Sequence, residues 1–532
     1  MTRAFPSMIL VGSLLLVSSQ AHATNYFIDN VAGSDANAGT SEGSAWQSIE
    51  PLEETTLHPG DRVLFKAGGT FPVTNRFAVD GWDPGIWPQA DSSGVEGNPV
   101  TFTSYGTGPM PIITNLNDAE GSNGITLRAS WVVIDGLAFW RVHHSAIEVE
   151  STASHVTVQN CEMNQVGSAV TVYGEHVLVT HNYFHDGKMI HITEGGDDDY
   201  GANGVVVSGS YLEISYNRAF DLKDYCPDFG DDGGFIELYG GFHDVNVHHN
   251  IVSETGGFVE GGSGHNEAQD RLTFAYNVSI NNGDLSVLHN GGNHFAAVFT
   301  NVLFINNTVI DTTGSPTQVW FSSEATAAQA TYRNNIFWQP AGRVFQNAGT
   351  IGHDHNIFAS GVNVGVTMSG DEHAGDPGFV DRAALDLHLA ESSIAVDVGT
   401  ATVFATDFDG TAVPTGGGVD IGAFEYNPGG PPMDGGVGML DASPIDWGTP
   451  ASDAGTTPSD GGVGGSDMGS FASDAGSAPL DGGGGGSGAA PVSGCTVDAA
   501  GASRAGATGA FAMLIAIAGH AAFARRRRSR RS

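Results

Sequence analysis

The sequence predicts an all-β fold, a parallel β-helix of roughly ten coils over residues 24–426. Seven segments alternate apolar and polar residues, which is typical of strands. Each segment ends in asparagine, which tolerates the left-handed backbone of a sharp turn. The steps between these asparagines run from 22 to 35 residues, as in a solenoid whose basic repeat carries insertions. The asparagines are Asn160, Asn182, Asn217, Asn250, Asn277, Asn307 and Asn335.

A repeated pentapeptide sets the expected register of two coils. Gly-Gly-Phe-Ile-Glu at 233–237 returns as Gly-Gly-Phe-Val-Glu at 256–260, 23 residues later. Because that distance is about one coil, Glu237 and Glu260 are predicted to lie side by side on adjacent strands, about 4.8 Å apart. The asparagines are expected to hydrogen-bond along their own column. The glutamate column is predicted to contain Glu148, Thr171, Val207 and, further on, Ser286.

The charge balance narrows the possible partners. The chain of 532 residues has 59 acidic and 20 basic residues, a net charge of −39. A protein that binds nucleic acid needs a basic surface, so this class is excluded. We expect a monomer whose partner is a polysaccharide.

Both ends of the chain have sequence patterns that predict export from the cell. Residues 1–23 have the pattern of a secretory signal, with Arg3, an apolar stretch and Ala-His-Ala. Residues 427–494 are rich in Gly, Ser, Asp and Pro, which is typical of a disordered linker. The tail at 495–532 has Cys495, an apolar helix over 505–524 and an arginine cluster, so it resembles a MYXO-CTERM-type sorting signal. We therefore expect a secreted or surface-held protein that touches a membrane only through this tail, anchored there or processed at Cys495.

The two ends of the repeat region carry a family resemblance. "NYFIDNVAGSDANAGTSEGSAWQSI", "LHPGDRVLFKAGGTF", "GNPVTFTSYGTGPMPII" and the closing "VDIGAFEY" are similar to secreted right-handed parallel β-helix proteins of the pectin-lyase-like superfamily. The resemblance implies a right-handed helix. It leaves the activity open, because that superfamily includes lyases, hydrolases, epimerases and non-catalytic surface proteins.

Two long insertions on consecutive coils are expected to be neighbours and to carry function. They span 186–203 and 221–234, and we call them flap 1 and flap 2. Both are rich in aspartate, and oxygen ligands without Cys or His favour calcium. The candidate calcium ligands are Asp197, Asp198, Asp199, Asp228, Asp231 and Asp232.

The sequence leaves three functions open. The favoured one is a polysaccharide-degrading enzyme that performs calcium-assisted β-elimination of a polyuronate, with Lys223 or Lys188 as the base, as the family resemblance implies. The second is a retaining glycoside hydrolase that uses Glu237 and Glu260 on a neutral glycan. The third is a surface module that binds a glycan or a partner without catalysis. Candidate sugar-binding residues are Tyr239, His249, His265 and His289. Cys161 and Cys226 are a possible disulfide pair.

Overall fold

The computed structural model describes residues 23–428, apart from 80, 118–119, 315–316 and 360. Each coil contributes one short strand to each of three long parallel sheets, so successive coils stack strand upon strand. The predicted right-handed parallel β-helix is confirmed. The predicted signal, linker and C-terminal tail lie outside the described residues. Within the described part, no helix is both long and apolar enough to span a bilayer.

The first sheet contains twelve described strands, numbered along the chain: β1 (Asn25–Ile28), β2 (Arg62–Lys66), β5 (Val100–Tyr105), β9 (Val132–Asp135), β12 (Ser154–Gln159), β15 (Glu175–Thr180), β20 (Leu212–Ser215), β25 (Phe242–His248), β28 (Ala268–Ala275), β31 (Val298–Ile305), β34 (Thr326–Arg333) and β37 (Thr350–Asp354).

The second sheet also contains twelve described strands: β3 (Thr70–Pro72), β6 (Ile112–Asn115), β10 (Ala138–Val142), β13 (Glu162–Asn164), β16 (Tyr183–His185), β21 (Arg218–Phe220), β26 (Ile251–Ser253), β29 (Val278–Ile280), β32 (Thr308–Ile310), β35 (Ile336–Trp338), β38 (Ile357–Phe358) and β39 (His373–Ala374).

The third sheet contains nine described strands: β8 (Ile125–Leu127), β11 (Ser145–Val149), β14 (Ser168–Val172), β19 (Asn203–Val207), β24 (Gly234–Tyr239), β27 (Val259–Gly262), β30 (Ser286–Leu288), β33 (Thr317–Phe321) and β36 (Arg343–Gln346).

Short elements complete the described chain. Four small pairs are β4 (Trp82–Asp83) with β7 (Gly121–Ser122), β17 (Met189–His191) with β18 (Tyr200–Gly201), β22 (Asp224–Cys226) with β23 (Gly230–Asp232), and β40 (Phe379–Asp381) with β41 (Asp386–Leu389). The 3-10 helices are Glu42–Ser44, Leu52–Glu54, Ala90–Ser92 and Arg382–Ala384.

The interior of the coils is a continuous apolar core. Alternate strand residues point inward, and one cluster of fully buried aliphatic and aromatic side chains extends from Ile28 to Phe358. Rings at equivalent positions stack on one another, with centroids 4.5 Å apart for Phe274 and Phe304 and 4.6 Å apart for Phe304 and Tyr332. Each coil therefore buries its inward residues against the coils on either side.

An asparagine ladder runs along the corner between the first and second sheets. In the ladder, each amide nitrogen from Asn182 to Asn335 donates to the amide oxygen of the next coil at 2.9–3.1 Å, and the amide nitrogen of Asn356 donates to Glu372 Oε1 at 2.9 Å. Each of the seven also donates to a backbone carbonyl. This confirms the predicted hydrogen-bonded column for Asn182 and the five predicted asparagines after it, but the prediction for Asn160 is wrong, because Asn160 is the left-handed residue before Cys161 and its amide donates to Asp135. The left-handed residue is the one before each ladder position, such as His181, Tyr216 or Asn306, so turn geometry is not why the ladder asparagines recur. The ladder consists of Asn182, Asn217, Asn250, Asn277, Asn307, Asn335 and Asn356.

The first position of this column is a cysteine. The backbone N–H of Cys161 donates to Oδ1 of Asn182 at 3.0 Å, as a ladder asparagine would. Cys161 and Cys226 are both buried and unpaired, so the possible disulfide between them is not formed. Cys226 lies in flap 2, at the end of β22, whereas Cys161 lies at the corner that holds the ladder.

Candidate active site

Glu237 and Glu260 are direct neighbours on adjacent parallel strands. Glu237 of β24 is in register with Glu260 of β27, as the repeated pentapeptide predicts. The same column contains Glu148 and Thr171, also as predicted. It then contains Val206 and Val287, so the predictions of Val207 and Ser286 are each wrong by one residue. Because side chains alternate in a strand, a slip of one residue would have turned those positions to the opposite face.

The glutamate pair lies on the floor of a pocket on the outer face of the third sheet. Three neighbouring columns of this sheet form the floor, and both flaps line it from the side. One floor column runs through Asn203, Gly234 and Gly257 to Asp284, and the middle one contains the glutamates. The third includes Tyr239, Gly262 and His289. The pocket thus combines carboxyl groups, aromatic rings and exposed backbone, a set suited to a polar ligand.

The two flaps are neighbours, as their positions on consecutive coils predict. Each is inserted just before a strand of the third sheet, flap 1 before β19 and flap 2 before β24. Their tips are joined by two reciprocal bonds: the N–H of Asp228 donates to Asp199 Oδ2 at 3.0 Å, and the N–H of Asp198 donates to Asp228 Oδ2 at 3.2 Å. The N–H of Met189 also donates to Asp224 Oδ2 at 3.2 Å. The flaps therefore form one wall over the glutamates.

Seven carboxyl groups line this pocket: those of Asp197, Asp198 and Asp199 in flap 1, and those of Asp232, Glu237, Glu260 and Asp284. Among the described residues, the lining contains no lysine or arginine. Burial, then the charges of Glu260 and Asp232, raises the pKa of Glu237 well above its usual range. Burial, then Asp232, raises the pKa of Glu260 in the same direction. Two close carboxyls without a cation cannot both ionise easily, so the pair tends to retain a proton.

His289 distinguishes one glutamate from the other. Its Nε2 lies 2.8 Å from Oε1 of Glu260, and Nδ2 of Asn293 lies 2.7 Å from its Nδ1. The amide nitrogen of Asn293 can only donate, and the amide oxygen accepts from the N–H of Phe295, so Nδ1 accepts and the proton is assigned to Nε2. Burial lowers the pKa of His289 to about 4, so the ring is neutral near pH 7. Its N–H donates to Glu260 and favours the ionised form of that carboxyl.

The two lysines lie away from the glutamate pair. Nζ of Lys188 is 3.7 Å from Oδ2 of Asp224, and 54% of the lysine side chain is exposed. Lys223 is half-buried near Asp221, and neither lysine lines the pocket. Closeness in sequence had suggested Lys223 as a base, but the structure does not bring either lysine into the pocket lining.

The candidate calcium ligands divide into three groups. Asp198, Asp199 and Asp228 each bring a carboxylate oxygen within 4.8 Å of the others, where the flaps meet. Asp197 and Asp232 line the pocket outside this group, and Asp231 is exposed. Three carboxylates at this spacing fit calcium in charge and in donor type. The carboxylates of Asp199 and Asp228 also accept bonds from backbone N–H groups of the flaps.

The candidate sugar-binding residues also divide. Tyr239 and His289 line the pocket. The prediction for His249 is wrong, because it lies at the corner after the first sheet, buried beneath the C-terminal segment, with Nε2 3.3 Å from the carbonyl oxygen of Thr406. His265 is exposed in the loop after β27 and does not line the pocket. Five further lining residues were not predicted from the sequence: Asp284, His144, Tyr173, Tyr200 and Phe295.

Comparisons with known proteins agree with the fold. A family model described as a right-handed beta helix region matches residues 123–337. A lacto-N-biosidase from Bifidobacterium longum subsp. longum is 29% identical over 109 residues, which are 20% of this chain and 6% of that protein.

Solved structures that align with the chain are more distant in sequence. A GH136 lacto-N-biosidase from Eubacterium ramulus aligns at 14% identity with a TM-score of 0.41, covering 66% of this chain and 68% of that one. The pectate lyase Pel9A aligns at 15% identity with a TM-score of 0.44, covering 76% of this chain and 96% of that one.

Proposed function

We propose that this protein is a carbohydrate-active enzyme, a retaining glycoside hydrolase that acts outside the cell on a glycan without acidic groups. The observation that carries the proposal is the register of Glu237 with Glu260. Adjacent strands lie about 4.8 Å apart, close to the spacing of about 5–5.5 Å between the two carboxyls of retaining enzymes. Inverting enzymes need a wider gap of about 6.5–9.5 Å to admit a water molecule.

The environments of the two glutamates assign their roles. Glu260 accepts the N–H of His289, which stabilises its carboxylate, so it is the nucleophile. Glu237 has its pKa raised by burial and by the neighbouring carboxyls, so it holds the proton and is the general acid. This division follows the rule that paired carboxyls in different environments take opposite roles.

The reaction then follows in two steps. Glu260 attacks the anomeric carbon while Glu237 gives its proton to the departing glycosidic oxygen, which leaves a glycosyl ester on Glu260. Glu237, now ionised, removes a proton from water as that water attacks the same carbon. The ester bond breaks, and both glutamates return to their starting states.

Calcium-assisted β-elimination at this pocket has weaker support. The candidate bases Lys188 and Lys223 lie outside the lining. A uronate would also bring its carboxylate to seven carboxyls that no lysine or arginine of the lining offsets. We keep calcium as a proposal for the flap group of Asp198, Asp199 and Asp228, where its charge would hold the two flaps together.

The test is a screen on neutral and acidic glycans that measures both reducing ends and absorbance of an unsaturated uronate in the near ultraviolet. We expect reducing ends without the absorbance. Glu237→Gln and Glu260→Gln should each lower kcat by about 10²- to 10⁴-fold. Glu175→Gln, an exposed glutamate of β15, is the matched control and should leave kcat unchanged.

The results separate the three candidate functions. Absorbance that disappears with a chelator would support elimination instead. Binding of glycan without cleavage by the unaltered protein would support a non-catalytic module. Full activity in both glutamine variants would overturn the assignment of the pair.

A further inference from the structure

One buried carboxyl of the pocket has no hydrogen-bonding partner. Asp284 lies just before β30, and only 2% of its surface is exposed. Within the described part of the chain, neither Oδ1 nor Oδ2 has a donor or acceptor in reach. A buried polar group left in this state destabilises a fold, and the great majority of such groups are paired. Asp284 is therefore unexplained as a structural residue.

The surroundings of Asp284 favour its uncharged form. Burial, then the charges of Glu260 and Asp311, raises the pKa of Asp284 well above its usual range. A protonated carboxyl has one O–H donor and a carbonyl acceptor. A sugar hydroxyl likewise donates one hydrogen bond and accepts others, so the two groups are complementary.

The neighbouring position in the same column leaves open space. A Cβ added to Gly257 would meet only one atom within 4 Å, the carbonyl oxygen of Asp284 at 4.0 Å. Gly257 has no positive φ, so its backbone does not require glycine. By contrast, a Cβ on Gly234 would lie 2.9 Å from the carbonyl oxygen of Gly257, so the packing of the coils accounts for that glycine. The missing side chain at Gly257 keeps a trough open beside Glu260.

We propose that the trough over Gly257 is the sugar subsite next to the glutamate pair, and that Asp284 at its end recognises one hydroxyl group of a neutral sugar. This inference rests on the proposed function, because it names the substrate class of the same pocket. The ligand supplies the hydrogen bonds that the protein does not give to Asp284. A sugar lacking that hydroxyl leaves the carboxyl unpaired again, so the site discriminates against it.

The experiment measures ligand binding rather than turnover. Methyl glycosides of neutral hexoses and their monodeoxy derivatives are titrated into Glu237→Gln by saturation-transfer NMR, with and without Asp284→Leu. We expect one hydroxyl whose removal weakens binding on the order of 10- to 100-fold when Asp284 is present, and by less than twofold in Asp284→Leu. Equal losses in both backgrounds, or no binding by any of these sugars, would overturn the proposal.

A second pair of variants guards against effects on folding. Gly257→Val should fill the trough and abolish binding without lowering the Tm, whereas Gly370→Val, at an exposed glycine with open space around it, should change neither. Asp284→Leu should keep or raise the Tm, because it removes an unpaired buried carboxyl. A lower Tm with unchanged binding would show that Asp284 is structural.

The outcomes also separate this inference from the proposed function. Sugar binding that depends on Asp284, in a protein that cleaves no glycan, leaves the subsite standing and removes the hydrolase. Glycan hydrolysis that is unaffected by Asp284→Leu and Gly257→Val would support the hydrolase and overturn the subsite.

Discussion

His289 and Glu260 are joined by a hydrogen bond of 2.8 Å from a nearly buried ring to a carboxyl that is 21% exposed. Among the described residues, no comparable donor reaches the side chain of Glu237. The two glutamates occupy equivalent positions of the repeated pentapeptide, but the hydrogen bond from His289 on the next coil gives Glu260 a different environment from Glu237.

Removing the N–H donor of His289 should slow nucleophilic attack by Glu260. We expect His289→Ala to lower kcat about 10- to 100-fold, because Glu260 loses the N–H that stabilises its carboxylate. The pKa of Glu260 should rise further, so the acidic limb of the pH–kcat/KM profile moves to higher pH. His289→Gln, which keeps an N–H donor, should recover part of the rate. His373→Ala, at an exposed histidine of β39, should match the unaltered enzyme; an unchanged acidic limb in His289→Ala would contradict the role given to this ring.

The glutamate pair should make the protein less stable as pH rises. A carboxyl whose pKa is raised by folding stabilises the native state fully below its unfolded pKa, and this stabilisation is lost as pH rises through the folded pKa. The free energy of unfolding should therefore fall from about pH 4.5, the ordinary value for Glu, to the raised pKa of the pair.

The measurement is denaturant unfolding at several pH values. Glu237→Gln should flatten the decline because it removes a group that must ionise inside the pocket, and should be more stable than the unaltered protein near pH 7.5. Glu175→Gln should give a curve parallel to the original. A steeper decline in Glu237→Gln would refute the assigned direction of the pKa shift.

The asparagine ladder offers a stabilising substitution. Cys161 already donates its N–H to Asn182 Oδ1, and its sulfur lies 3.9 Å from the carbonyl oxygen of Ile134. In the next coil the amide of Asn182 donates to the carbonyl of Val158, the residue in register with Ile134. Cys161→Asn should thus extend the ladder and raise the free energy of unfolding by about 1 kcal/mol.

Breaking the ladder should have the opposite effect. Oδ1 of Asn277 accepts from both the backbone N–H and the amide of Asn250 at 3.0 Å, so Asn277→Ala leaves buried donors unpaired and should destabilise by about 1–3 kcal/mol. Asn246→Ala, on a half-buried position of β25 whose side chain makes no hydrogen bond within the described part, should have little effect. Thermal unfolding monitored by circular dichroism compares all three variants, and equal Tm values would show that the ladder contributes nothing.

Calcium should act through the flaps. We expect added calcium to raise the Tm of the unaltered protein, and this shift to vanish in Asp199→Asn and Asp228→Asn, which remove negative charge from the flap group. Asp231→Asn, at an exposed aspartate of flap 2, should keep the shift. If chelation changes neither the Tm nor the glycan-cleaving rate, the reciprocal bonds of Asp199 and Asp228 hold the flaps without a cation.

Periodic features of the sequence were enough to predict the coils. The alternation in strands, the recurring asparagines and the doubled pentapeptide each repeat with the coil, so they report the stacking and place Glu237 beside Glu260. The column was predicted to contain Val207 and Ser286 but contains Val206 and Val287. The sequences "GVVV" and "DLSV" have no glycine pair that would fix the register of the strand. A strand of successive valines looks the same in either register.

The other pocket residues could not be predicted from the repeat, because contacts between different coils and loops determine where they lie. Lys223 is close to the glutamates in sequence, but a flap can turn its side chains to either side. Asp284 stands in an ordinary turn sequence, and its burial arises only when neighbouring coils close over it. His249 was assigned by residue type, but the returning segment around Thr406 covers it, more than 150 residues along the chain.

In a parallel register, two residues of one column are separated by a whole number of strand spacings. This limits which stereochemical outcome, retention or inversion, such a pair of carboxyls can produce. Inserting one whole coil between Glu237 and Glu260 would separate them by two strand spacings, about 9.6 Å, near the upper end of the range for inversion. Intermediate separations are unavailable to two residues of one column. Gain or loss of a single repeat could therefore convert the outcome at the anomeric centre in one evolutionary event, while every coil kept its own core.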